Sequence, residues 1–79
     1  MSRAYRVLDG VGVGVSADAA LPNRVTCVYV LSGAARIEHI GHTVVSLVPG
    51  DRQVLDGLPA GQIMTWISEA DNTVGEWVG

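Results

Sequence analysis

His39 and His42 are the two histidines of the chain, three positions apart in the run Glu38-His39-Ile40-Gly41-His42, and imidazoles so spaced can share a metal ion. If Ile40 and Gly41 form a two-residue turn, the histidines face each other across a hairpin with Cβ atoms about 4.5–5.5 Å apart. Gly41 then supplies the positive φ that a type II turn needs at its second central position. Glu38 points to the opposite face, because neighbouring strand residues alternate. Two ligands fall short of the three or four that a catalytic or structural zinc site uses. No metal and no cofactor is therefore expected. The stretch reads as a polar hairpin tip, with His39 and His42 as a candidate pH-sensitive pair between subunits, since imidazoles titrate near neutrality.

The other chemistry-bearing residues do not assemble into a set. His39 to His42 spell the tetrapeptide with which class I aminoacyl-tRNA synthetases hold ATP. That motif opens a helix after a nucleotide-fold strand and works with a lysine-rich loop, whereas this one lies between β-type runs in a chain without lysine. Ser16, Ser32, Ser46 and Ser68 each lack the Gly-x-Ser-x-Gly elbow of a nucleophilic serine. The run Gly10-Val-Gly-Val-Gly14 departs from the phosphate-cradling G-x-G-x-x-G pattern and reads as a glycine-rich strand that another backbone can approach. Asp51 and Asp56 read as turn formers. Cys27, the single cysteine, lies in the apolar run Arg24-Val-Thr-Cys-Val-Tyr-Val-Leu31 and reads as a small buried hydrophobe. The chain is expected not to be an enzyme.

Composition narrows the classes further. At 79 residues there is material for one domain, here 1–79. A domain of this size buries only about 60% of the surface its unfolded chain exposes. With one cysteine, no intrachain disulfide can make up the difference, which leaves association with other chains. Charged residues are 16% of the chain, against roughly 25% in typical domains, while hydrophobic residues are 48% and the net charge is −3. A weakly acidic chain with five basic residues, all arginine, offers no concentrated basic face for nucleic acid. No apolar run approaches the ~20 residues that span a bilayer, and the first ten residues lack the apolar core of a signal peptide. The expected location is the virion if the gene belongs to a phage, and the cytoplasm otherwise.

Glycine, proline and Asx clusters punctuate the sequence at short intervals, separated by runs rich in Val, Ile, Thr, Tyr and Trp. This predicts an all-β fold, a small antiparallel barrel or sandwich of about eight short strands. The strands are expected at 4–8, 11–15, 24–31, 35–40, 42–48, 52–55, 62–68 and 73–78, with a helical turn at 17–21. Strand 24–31 is apolar on both sides, with Val25, Cys27, Tyr29 and Leu31 opposite Thr26, Val28 and Val30. Strand 43–48 repeats this with Val45 and Leu47 opposite Val44 and Val48. Strands of that pattern are buried on both faces, so one face is expected against another subunit. Val28, Val30, Val45, Leu47, Trp66 and Trp77 are the apolar interface candidates.

Residues 29–68 resemble part of a cupin, through Ser32-Gly33, the turn Pro49-Gly50-Asp51 and the turn Pro59-Ala60-Gly61. In that family a metal-binding histidine follows the last of these turns, where this chain has Met64, and the first histidine pair has no counterpart before the hairpin. The resemblance therefore implies a cupin-like ligand-binding module without the metal. Tyr29, His39, His42, Met64 and Trp66 would be its lining candidates.

In size, β-content and missing chemistry the chain also resembles the small capsid decoration proteins of tailed bacteriophages, and this is the leading expectation. It implies a non-catalytic homo-oligomer, often a trimer, attached to a major capsid protein. Segments 1–6 and 16–23 would act as interaction arms, and Arg3, Arg6 and Arg24 as contacts to acidic capsid surface.

Overall fold

The computed structural model describes residues 3–21, 26–55 and 61–79. Among these the chain is all-β, with strands β1 Ala4–Val11, β2 Ser16–Ala20, β3 Thr26–Ser32, β4 Ala35–His39, β5 His42–Leu47, β6 Arg52–Leu55, β7 Ile63–Ser68 and β8 Thr73–Val78. They form two four-stranded sheets, in the order β1-β8-β3-β6 and β2-β7-β4-β5, and every pairing is antiparallel. Consecutive strands mostly fall in different sheets, which is the double Greek key of a jelly roll. The expected barrel or sandwich is thus a sandwich.

The core lies between the sheets. Trp66 is its centre, fully buried with Ile37 and Met64 from its own sheet and Leu8 and Val28 from the other. Two small residues make room for it. Ala17 sits opposite Trp66 and Ala19 opposite Met64 in the β2–β7 register, so large side chains meet small ones. Gly75 of β8 faces the indole, and a Cβ built there would come within 2.9 Å of Trp66 Cζ3.

Several expectations are corrected here. The strand set at 11–15 is instead the end of β1 and a turn, and the helical turn set at 17–21 is largely β2. Alanines favour a helix in isolation, but β2 gains a full ladder with β7 and an inner face that only small side chains fit, so tertiary context overrides propensity. Of the segments 1–6 and 16–23, offered as interaction arms or loops, residues 4–6 belong to β1 and 16–20 to β2, while 1, 2, 22 and 23 lie outside the described residues. The glycines at 10 and 14 admit no close neighbour. They carry φ of +68° and +83°, with no heavy atom within 4 Å of a built Cβ. Gly10 stands at a β-bulge of β1, between Asp9 and Val11, where a left-handed residue is wanted. Backbone approaches closely at Gly33 instead, where a built Cβ would lie 2.7 Å from the Cα of Thr73.

The doubly apolar strands find most of their cover within the chain. On β3, Thr26, Val28 and Val30 point into the sandwich and are buried. Of the outer side chains, Cys27 is half-buried, Tyr29 is buried and Leu31 is 54% exposed; Val25 lies outside the described residues. On β5, Leu47 is buried and Val45 packs against the core, while Val44 and nearby Val48 are exposed.

Candidate interaction surfaces

The β4–β5 hairpin turns at Ile40 and Gly41, with φ of +52° and +74°. Two successive left-handed residues make the type I′ turn that suits the twist of a hairpin, not the type II turn that a lone glycine suggests. His39 and His42 are paired across it, as the spacing predicts. They do not converge on a common ligand position, however, because His39 Nε2 bonds to Gln62 Oε1 at 2.9 Å. Glu38 points outward and pairs with Arg36 at 3.0 Å. Among the described residues no group of three or more His, Cys, Asp or Glu side chains is placed to hold a metal.

The outer face of sheet β1-β8-β3-β6 is arranged in rows set by register. One row runs Arg6, Glu76, Tyr29, Arg52 across all four strands. Arg6 reaches Glu76 Oε2 through Nε and a terminal nitrogen at 2.9 and 2.8 Å, and a further nitrogen reaches Asp9 at 3.1 Å. The Tyr29 hydroxyl donates to Glu76 Oε1 at 2.8 Å. The Arg52 guanidinium lies 4.9 Å from the centre of the Tyr29 ring, a cation–π distance. The hydrogen bonds from Tyr29 and Arg6 hold the Glu76 carboxyl below its ordinary value. Burial, followed by the bond to Glu76, pushes the Tyr29 phenol up. The next row is apolar: Ala4, Val78, Cys27 and Val54.

The outer face of the other sheet is polar. It carries Asp18, held by the Thr65 hydroxyl at 2.7 Å, and Arg36, paired with both Glu38 and Glu69 at 3.0 and 3.2 Å. A shallow open groove of about 520 Å³ runs beside Arg36, between β7 and the β1–β2 turn. The arginine there is already matched by two carboxylates, so it has little charge to offer a ligand.

The sequence-derived interface candidates separate into groups. Val28, Val30, Leu47, Trp66 and Trp77 are buried between the sheets, and Val45 is packed against the same core. The inter-sheet interior occupies the faces that a second subunit was expected to cover, so the five buried side chains present little surface to a partner, while Val45 is partly exposed. Arg6 is engaged within the chain, Arg3 is exposed with a nitrogen 3.5 Å from the Tyr5 hydroxyl, and Arg24 lies outside the described residues. The lining candidates of the ligand-binding reading also part company. Met64 and Trp66 are fully buried in the core, Tyr29 lies on an outer face, and His39 and His42 lie at a hairpin.

Nine large hydrophobic side chains are exposed among the described residues. Tyr5, Ile40 and Ile63 lie at the end of the sandwich that holds the hairpin turn, and Val13, Val15, Leu31 and Val48 at the opposite end, where the short turns lie. Val44 sits at a bulge of edge strand β5, and Val54 in the apolar outer row. Of these, Leu31, Val44 and Val48 were legible as the second side of a doubly apolar strand. Val13, Ile40, Val54 and Ile63 carry no local signal beyond being apolar beside a turn or on a short strand.

Comparisons of the chain with protein-family models, with curated proteins and with solved structures gave no match.

Proposed function

We propose that this chain is a non-catalytic structural module that self-associates and attaches to a larger assembly, in the manner of the decoration proteins of phage capsids. The observation that carries this reading is the placement of its exposed hydrophobic side chains. Among the described residues they lie at both ends of the sandwich and on the β5 and β6 side, while the interior is filled by Trp66, Ile37, Met64 and Val28. Exposed apolar groups of this kind are available for contact with neighbouring chains, and among the described residues the interior between the sheets is filled by side chains. The partners in this reading are further copies, with a trimer as the expected form, and a major capsid protein.

The runner-up is a cupin-like ligand-binding module. The strand order favours it, since cupins are jelly rolls, but a fold hosts many functions. Its candidate lining residues are dispersed over core, outer face and hairpin.

Sedimentation equilibrium at 1–100 µM, followed by co-sedimentation with capsids of the phage whose genome carries the gene, tests the proposal. A closed oligomer that pellets with capsids is the expected result. A monomer that stays in the supernatant at all concentrations overturns it, and a monomer that retains a small molecule on native mass measurement favours the runner-up.

A further inference from the structure

Ile40 stands where neither backbone nor solvent favours it. Its φ of +52° places a β-branched residue in the left-handed region, which is costly for L residues other than glycine, asparagine and aspartate. Its side chain is 81% exposed, so it adds nothing to the core. Asn-Gly is the ordinary choice for such a turn. Strain retained at an exposed position points from the outlier to a function.

We propose that Ile40 anchors a head-to-tail contact, in which the β4–β5 hairpin of one copy inserts into a cavity on a second copy. That cavity has a volume of about 230 Å³ and is lined by Tyr29, Val30, Leu31, Gly50, Asp51 and Arg52. It is smaller than the ~300–1,000 Å³ of ordinary small-molecule sites, and the exposed Leu31 side chain gives it one apolar wall for a single branched side chain. The polar groups also match. The hairpin brings an imidazole N–H donor at His42, and the cavity rim brings the Asp51 carboxylate. Neither the His42 ring nor the Asp51 carboxylate has a hydrogen-bond partner among the described residues.

Hairpin and cavity lie at opposite ends of β5, so one chain cannot fill its own cavity. The contact joins two different patches and repeats from copy to copy, closing into a ring or extending as a filament. This inference rests on the self-associating reading above and names the surfaces that it uses.

Two variants test it, Ile40→Asn on the hairpin and Leu31→Asp in the cavity. The full chain is expected to sediment as a species larger than a dimer. Each variant alone should self-associate at least tenfold more weakly. Ile40→Asn should also melt about 4–8 °C higher when compared as a monomer, so its loss of assembly cannot be a failure to fold. Mixing the two variants pairs the intact hairpin of one with the intact cavity of the other. A one-to-one complex that grows no further is expected. An oligomer that persists in both variants, or a mixture that stays monomeric, overturns the head-to-tail contact while leaving self-association intact. A wild-type chain that is monomeric at 100 µM removes both readings.

Discussion

The Tyr29 hydroxyl donates to Glu76 Oε1 at 2.8 Å, and the partner oxygen of that carboxylate is gripped by Arg6. One carboxylate thereby ties β1, β8 and β3 together across the outer face of their sheet, and Arg52 over the Tyr29 ring extends the tie to β6. This is how a tyrosine on the outside of a small sandwich becomes buried without a second subunit.

Stability should therefore fall in acid with Glu76 as a principal cause. Its folded value is depressed, first by the Tyr29 hydrogen bond and then by that from Arg6. The contribution is present above the ordinary carboxylate value of about 4.3 and is lost as pH falls through the lowered folded value. Urea midpoints from pH 7 to pH 2 should show this loss in the wild type and a flatter acid limb in Glu76→Gln. An unchanged limb in the variant would remove Glu76 from the account.

Tyr29→Phe should cost roughly 1–2 kcal/mol near neutrality, the scale of a hydrogen bond to a charged group that is partly reached by solvent. The alkaline limb follows the opposite sign. The raised folded value of Tyr29 means that its stabilisation holds below the ordinary phenol value of about 10 and is lost as pH rises through the raised one. The phenylalanine variant should lose that alkaline dependence, as read from denaturant midpoints between pH 8 and 11.

Gly33 and Thr73 form a latch between β3–β4 and β8. Thr73 is fully buried, and its hydroxyl lies 2.8 Å from the Ala70 carbonyl oxygen and 3.1 Å from that of Ala34. Gly33 passes so close that a Cβ would collide with Thr73, at a φ of +75°. Gly33→Ala should cost about 3 kcal/mol or more, combining the clash with the left-handed strain. Thr73→Val, which removes that buried hydroxyl and leaves the Ala34 N–H without the acceptor it has at 3.3 Å, should cost about 1–3 kcal/mol. Thermal unfolding of both variants checks the order.

The parts of this structure that were legible in advance are those written locally. Pro49-Gly50-Asp51 and Ile40-Gly41 mark turns through residue chemistry, and the runs around Val28, Trp66 and Trp77 alternate at the period of a strand. What was not legible depends on residues distant in the chain. The alternation of β3 shows two apolar sides but not which one faces the opposite sheet, and Tyr29 is covered only because Glu76 and Arg52 arrive from β8 and β6. Likewise Ser16-Ala-Asp-Ala-Ala20 reads as helix or loop until Trp66 is known to stand opposite Ala17. The interface candidates followed from giving Val28 and Val30 to a partner, whereas they face the chain's own other sheet and Leu31 is the side chain left exposed.

Ile40→Asn should stabilise the isolated fold by about 1 kcal/mol, since asparagine tolerates the left-handed conformation that costs a branched residue roughly 1–2 kcal/mol. Urea unfolding at submicromolar protein, where self-association does not contribute, measures this directly. An unchanged or lower midpoint would mean that the turn is not strained at Ile40.

Gly75 meets the six-membered ring of Trp66, with positions for a Cβ only 2.9 and 3.0 Å from Cζ3 and Cε3. Gly75→Ala must displace the indole, whose cross-strand neighbours in its own sheet are Ala17 and Ile37. Trp66 is fully buried and cannot swing into solvent, so the displacement passes into the packing of the core around it. The cost should be about 1–3 kcal/mol, as for other overpacked cores. Ala17→Gly in the same chain should recover part of it by giving the ring space, beyond what its own backbone penalty predicts. A double-mutant cycle measures that coupling, and strictly additive losses would show that the two sheets do not press on one another through Trp66.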